Sequence, residues 1–217
     1  MKNKCAIFDF DSTLVAIETL DFLIAKTSKN QANKIEEITQ MAMNGKMTFA
    51  DSLRTRFANI NLTKSEIEEL KSEICNYITK GFVEGLNEIK SEFDFYIISG
   101  GFLEIIYPVA DKFGIAHQDC FANNFIYDGE KVIGFDEKNI LAQNGGKPKI
   151  VAQILAKKSY AKIFMVGDGY TDLEVAKANP KVTFCGFGVH AARESVICEA
   201  ENFFYNVDDL ISFLKLA

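Results

Sequence analysis

Short apolar runs punctuate the chain. Cys5 to Phe8, Phe93 to Ile98, Ile163 to Val166 and Val182 to Phe187 are rich in β-branched and aromatic residues, the pattern of strands buried on both faces of a parallel sheet. Each stops abruptly in small or acidic residues: Asp9-Phe10-Asp11-Ser12-Thr13-Leu14, Ser99-Gly100-Gly101, Gly167-Asp168-Gly169 and Gly188. Helix-like segments follow the second and third runs, over Leu103 to Phe113 and Leu173 to Ala178. Alternating strands and helices predict an α/β fold, a Rossmann-like parallel sheet with helices on both faces. Its ligand crevice lies outside the carboxyl ends of the strands. Asp9, Ser99 and Asp168 are expected on that edge.

Residues 16–79 break the alternation. They carry helical spacing in Leu20, Leu23 and Ile24 and again in Ile67, Leu70 and Ile74, with many Lys and Glu and no convincing strand. The expected organisation is a discontinuous core, 1–15 and 80–217, with a small helical cap over 16–79. That insert leaves the chain just after the first strand, so it emerges beside Asp9 and Asp11 and can cover them as a lid. Tyr127-Asp128-Gly129-Glu130, between Phe125-Ile126 and Val132-Ile133, reads as a hairpin appended to the sheet.

Bulk properties narrow the partners. With 217 residues and 48% hydrophobic content the chain can bury a full core. A net charge of -6 and an isoelectric point near 5.1 argue against nucleic acid or an anionic membrane surface, so any anion is captured locally. No stretch approaches a spanning helix or a signal-peptide core, and the expected compartment is the cytoplasm. The cysteines at 5, 75, 120, 185 and 198 are scattered and lack a Cys-x-x-Cys pair, and His117 and His190 have no third partner. Disulfides, histidine-based zinc and a Ser-His-Asp triad are disfavoured.

The strand ends carry the chemistry. Asp9 and Asp11, two apart on extended backbone, can face one small volume, where their repulsion calls for a cation or a shared proton. The edge adds Ser99 beside Gly100 and Gly101, Lys147 after Gly145-Gly146, and Asp168 and Asp172. Carboxylates suit a hard cation such as Mg2+, glycine-rich backbone can approach a phosphate closely, and lysine supplies compensating charge. The set describes phosphoryl transfer, one carboxylate attacking phosphorus and the other moving the proton.

Asp9-Phe10-Asp11-Ser12-Thr13-Leu14, Ser99-Gly100-Gly101, Lys147 and Gly167-Asp168-Gly169-x-x-Asp172 resemble, in order and spacing, the four motifs of the haloacid dehalogenase (HAD) superfamily phosphatases. The resemblance spans nearly the whole chain. It implies Asp9 as nucleophile and Asp11 as acid/base, with Mg2+ held by Asp9, the Asp11 backbone carbonyl and Asp168, and supported by Asp172. It further implies Ser99, the Gly100 amide and Lys147 on the phosphoryl oxygens, with Gly101 supporting. Within the insert, Glu18, Met43, Phe49 and Arg56 look like cap residues of the branch that hydrolyses phosphoserine. Physically, Glu18 suits an ammonium and Arg56 a carboxylate gripped through two parallel hydrogen bonds. The implied reaction is Mg2+-dependent hydrolysis of O-phospho-L-serine to L-serine and phosphate through an aspartyl phosphate, the last step of serine biosynthesis, by a monomer or homodimer. Thr171 departs from the family pattern, since many members have asparagine there.

Other readings stand beside these. Glu18 alone is a solvated helix residue, Arg56 an exposed charge, Lys147 a loop lysine before Pro148, and Thr171 and Asp172 a helix cap. Met43 and Phe49 are equally lid-core residues. Other functions are hydrolysis of another small phosphomonoester, phosphotransfer to an alcohol, or a signalling module resembling a response-regulator receiver. A receiver has no use for Asp11 as hydrolytic base, nor for a long lid.

Overall fold

In the computed structural model, residues 2–27, 32–43, 46–58 and 61–217 are described. Strand β1 (Lys4–Phe8) is followed by four helices, α1 (Thr19–Thr27), α2 (Ala32–Met43), α3 (Phe49–Phe57) and α4 (Lys64–Glu73). Then come α5 (Phe82–Ile89), β2 (Phe93–Phe102), α6 (Leu103–Phe113), β3 (Cys120–Asn123), β4 (Phe125–Asp128) and β5 (Lys131–Phe135). The chain closes with α7 (Gly146–Lys157), β6 (Lys162–Gly167), α8 (Tyr170–Ala178), β7 (Val182–Phe187), α9 (Glu194–Ile197), β8 (Phe203–Phe204) and α10 (Val207–Leu216).

The main sheet runs β3-β2-β1-β6-β7-β8 with every pairing parallel. Alternation along β1 divides the core. Ala6 and Phe8 enter a large cluster beneath α5, α6 and α10, whereas Cys5 and Ile7 enter a second one with Val151 and Ile154 of α7 and Leu173 and Val175 of α8. Both faces are therefore covered, as continuous apolar runs demand. Of the helical spacing in 16–79, Leu20, Leu23, Ile24, Ile67, Leu70 and Ile74 all join the first cluster.

The insert hangs on a narrow neck. Ala16 N–H donates to the Tyr77 carbonyl at 2.8 Å and Thr79 N–H to the Leu14 carbonyl at 2.9 Å, around an antiparallel bridge between Val15 and Ile78. Thr63 caps α4 reciprocally with Glu66. Two expectations need correction. The hairpin β4–β5 is not appended to the main sheet; it is a separate two-stranded sheet that meets the insert, with Val132 N–H on the Leu62 carbonyl and Lys64 N–H on the Glu130 carbonyl. β2 also runs past Ile98 through Ser99-Gly100-Gly101 to Phe102, with a register shift where those residues bulge. No described helix is long and apolar enough to cross a membrane.

Candidate active site

The first strand delivers its carboxylate under constraint. Asp9 is buried at the end of β1, its N–H tied to the Val166 carbonyl of β6 at 2.9 Å, and its Oδ1 accepts from Phe10 N–H at 2.7 Å. The chain then makes a wide turn over Phe10–Leu14, closed by Val15 N–H on the Phe10 carbonyl. Ser12 holds φ 51° and ψ 7°, a left-handed conformation that costs a non-glycine residue about 1–3 kcal/mol and is tolerated where the surroundings enforce it. Here they do. Asp11 Oδ1 accepts from Thr19 N–H at 3.0 Å, and Ser12 Oγ donates to Glu18 Oε1 at 2.7 Å. The turn thus brings Asp11 and Glu18 toward the same space as Asp9. Burial first, then the charge of Glu18, pushes the Asp11 carboxyl up to about 8.

Lys147 joins the outer motifs. It starts α7, is buried, and bridges Asp9 Oδ1 at 2.8 Å and Asp172 Oδ1 at 2.7 Å. Burial alone would lower its ammonium, but Asp172 and Asp9 together hold it above the ordinary lysine range. The other Asp172 oxygen accepts from Gly169 N–H at 3.1 Å, so both its oxygens already have partners. Asp168 differs. Its Oδ1 accepts from Thr13 Oγ1 at 3.1 Å, while its buried Oδ2 accepts no hydrogen bond and lies 2.6 Å from Arg193 Nη1 as an ion pair. Burial pushes Asp168 well above the usual carboxylate range, against the pull of Arg193.

Oxygens of Asp9, Asp168 and Asp172 come within 4.8 Å of one another, all three residues buried. Lys147 pairs with Asp9 and Asp172, and Arg193 with Asp168 and Glu18, while Asp11 lies close enough to Glu18 and Asp9 to feel their charge. A buried, oxygen-only set that includes an Asp168 oxygen accepting no hydrogen bond fits a hard divalent cation.

A cavity of about 320 Å³ opens over these groups. Asp9, Asp11, Ser99, Gly100, Gly101 and Lys147 form its floor; Glu18, Phe49 and Arg56 come to it from the insert, and Thr171 from α8. Ser99 Oγ accepts from Gly101 N–H at 2.9 Å, which leaves its own O–H free to donate into the cavity. Asn123 Nδ2 holds the Gly100 carbonyl at 2.9 Å. Phe49 rests directly on Gly100, where a β-carbon would lie 2.4 Å from its ring. Asn144 Oδ1 accepts from Ala50 N–H at the start of α3, and Arg54 pairs with Glu137 at 3.2 Å, so the insert is seated on the core beside the cavity. Arg56 is buried, with Nη1 on Asp21 at 3.3 Å and Thr39 at 3.4 Å and its Nε without a hydrogen bond among the described residues.

The haloacid dehalogenase-like hydrolase family model matches residues 3–179. The chain belongs to this family. Among these hydrolases it is 34% identical over 211 residues to the phosphoserine phosphatase of Bos taurus, covering 96% of this chain and 92% of that one. A solved phosphoserine phosphohydrolase-like protein from Francisella tularensis superposes with a TM-score of 0.89 at 32% identity, over 99% of this chain and 100% of the other. The phospho-aspartyl intermediate analogue of a phosphoserine phosphatase superposes at 0.84 with 27% identity, over 98% and 99% of the two chains. The six-stranded parallel sheet is the HAD fold, and the chain is a phosphoric monoester hydrolase.

Of the residues singled out in the HAD-like motifs, Asp9, Asp11, Ser99, Gly100, Gly101 and Lys147 line this cavity, while Asp168 and Asp172 lie buried beside Asp9 and are not part of its lining. Met43 ends α2, but its side chain lies outside the described residues. Arg193 was missed by sequence reasoning. Arg54, Arg56 and Arg193 are the arginines of a lysine-rich chain, and that scarcity was the available signal. Glu174 and Tyr170 of α8 also line the cavity and carried no motif.

Proposed function

We propose that this hydrolase converts O-phospho-L-serine to L-serine and phosphate, with residues 16–79 as its cap. One observation carries the reading: the cavity that holds the Asp9 and Asp11 pair also receives Glu18 and Arg56 from the insert. A phosphorylated amino acid presents a phosphate, an ammonium and a carboxylate, and that cavity offers a partner to each. Lys147, Ser99 Oγ and the Gly100 amide hold the phosphoryl oxygens. With Asp9 Oδ1 engaged by Phe10 N–H and Lys147, the other oxygen attacks phosphorus. Asp11, kept protonated by its buried site, gives its proton to the departing serine oxygen and as carboxylate then takes one from the water that cleaves the aspartyl phosphate. Asp9, the Asp11 backbone carbonyl and Asp168 would hold Mg2+, with Asp172 fixing Lys147 from behind. Bound there, Mg2+ supplies charge neutralisation between attacking carboxylate and phosphate. Thr171 offers a hydroxyl at the cavity wall, and Phe49 excludes water from above Gly100.

Phosphate release from O-phospho-L-serine, O-phosphothreonine, phosphoethanolamine and a sugar phosphate tests the reading. Turnover with phosphoserine is expected to exceed the others, and equal turnover of phosphoethanolamine, which lacks the carboxylate, defeats the Arg56 assignment. Arg56→Ala is expected to raise KM for phosphoserine about 10- to 100-fold with a smaller change in kcat, the loss of roughly 1.5–3 kcal/mol of charged hydrogen bonding. An unchanged KM speaks against it.

Metal removal gives a second check. EDTA is expected to abolish turnover, and restoring Mg2+ to raise the thermal midpoint, because the folded chain alone assembles the three buried carboxylates. A midpoint insensitive to millimolar Mg2+ counts against the site.

A further inference from the structure

Arg193 is buried at the site with no part in the proposed chemistry. It follows the loop after β7 and sits 5% exposed, its guanidinium between two carboxylates of different origin. Nη2 donates to Glu18 Oε1 at 3.3 Å, and Nη1 stands 2.6 Å from Asp168 Oδ2. Arginine ordinarily meets a carboxylate through two parallel, aligned hydrogen bonds. Here it splits between two, and neither Nη1 nor Nε makes an aligned hydrogen bond. The contact on Asp168 is one of charge and not of direction, on the Asp168 oxygen that no other described residue engages. Thr13 keeps the other oxygen, so the carboxylate holds its orientation whatever becomes of the Arg193 contact.

We propose that Arg193 is a positioning residue that couples the cation site to the cap: its charge rests on Asp168 Oδ2 until a divalent cation takes that oxygen, and on Glu18 thereafter. The inference rests on the reading of Asp168 as a cation ligand. Its physical basis is competition. A guanidinium and a divalent cation repel each other at this range and seek the same oxygen, so the arginine weakens cation binding. The freed guanidinium then has Glu18 as its remaining partner, which sets that carboxylate for a substrate ammonium. Loading of the cation therefore prepares the substrate side of the cavity.

Calorimetric titration of Mg2+ into EDTA-stripped protein tests the coupling without turnover. Arg193→Met is expected to bind Mg2+ about tenfold more tightly than wild type, because the competing charge is gone. Its KM for O-phospho-L-serine is expected to rise about tenfold with kcat within about threefold. Glu18→Gln, which removes the second partner and leaves the guanidinium on Asp168, is expected to weaken Mg2+ binding severalfold, although Glu18 offers the cation no ligand. Should Arg193→Met fail to fold, Glu18→Gln and the charge-retaining Arg193→Lys, expected near wild-type Mg2+ affinity, carry the test. Unchanged or weaker Mg2+ binding in folded Arg193→Met, or unchanged binding in Glu18→Gln, overturns the coupling and leaves the hydrolase reading intact. Failure of the wild type to bind Mg2+ overturns both.

Discussion

Asp9→Asn is expected to lower phosphate release from O-phospho-L-serine by at least about 10⁴-fold while leaving the fold in place. Asparagine keeps an oxygen that can accept from Phe10 N–H and Lys147, so the turn after β1 retains its hydrogen bonds. What it loses is the nucleophile. An amide oxygen neither attacks phosphorus at a useful rate nor leaves a hydrolysable acyl phosphate, and removing a nucleophile typically costs four to six orders of magnitude. The variant also loses one negative charge, which relaxes the crowd of Asp9, Asp168 and Asp172. Its thermal midpoint is therefore expected to match or exceed that of the wild type. Rapid quenching in acid is the sharper measurement: wild-type protein carries a hydroxylamine-labile phosphoryl group during turnover, and the asparagine variant carries none. Residual activity above about one per cent would place the nucleophile elsewhere.

Lys147→Met removes the cation that two buried carboxylates share. Breaking a buried ion pair by deleting one partner costs about 3–5 kcal/mol, since the remaining charges lose their compensation and cannot reach water. Urea unfolding is expected to report a loss in that range, together with a fall in kcat/KM of at least about a hundredfold from the missing charge beside the phosphoryl oxygens. The pH dependence has a defined sign. Burial, then the charge of Asp9, already holds the Asp172 carboxyl above its ordinary value, and without Lys147 that shift grows. A carboxyl raised in the folded state binds its proton there at higher pH than in the unfolded chain. Its penalty is absent below the unfolded pKa and develops as pH rises through the folded one. The deficit of Lys147→Met is thus expected to be largest at alkaline pH and to shrink toward pH 5. A deficit independent of pH, or a variant as stable as wild type, contradicts the shared ion pair.

How far the site was legible differs residue by residue. Asp9 and Asp168 were readable because each stands at the end of an apolar run, where a strand must stop and a crevice opens. Asp11 was readable through its spacing from Asp9. Glu18 and Arg56 became readable only through resemblance, since a lone glutamate just ahead of a helix or an arginine in a polar one has no local mark. Arg193 was not readable, because nothing near Ala191-Ala192-Arg193 distinguishes a surface arginine from one carried 175 residues back to Glu18. The hairpin β4–β5 was placed wrongly for a similar reason. Its turn chemistry shows that two strands pair, but not which edge they join, and Leu62 and Lys64 of the insert supplied that edge.

Local patterns along the chain carried the alternation of strands and helices, the helical character of the stretch after the first strand, and the order of carboxylates, glycines and lysine at the ends of the apolar runs. These follow from local periodicity and from where apolar runs stop, which neighbouring residues encode. The tertiary fold alone makes Asp9 and Asp172 share Lys147, sets Arg193 between Asp168 and Glu18, and raises the Asp11 carboxyl through burial and the charge of Glu18. Those are properties of charges brought together from distant parts of the chain into a place with little water, and neither the meeting nor the loss of solvent is written in any local stretch of residues.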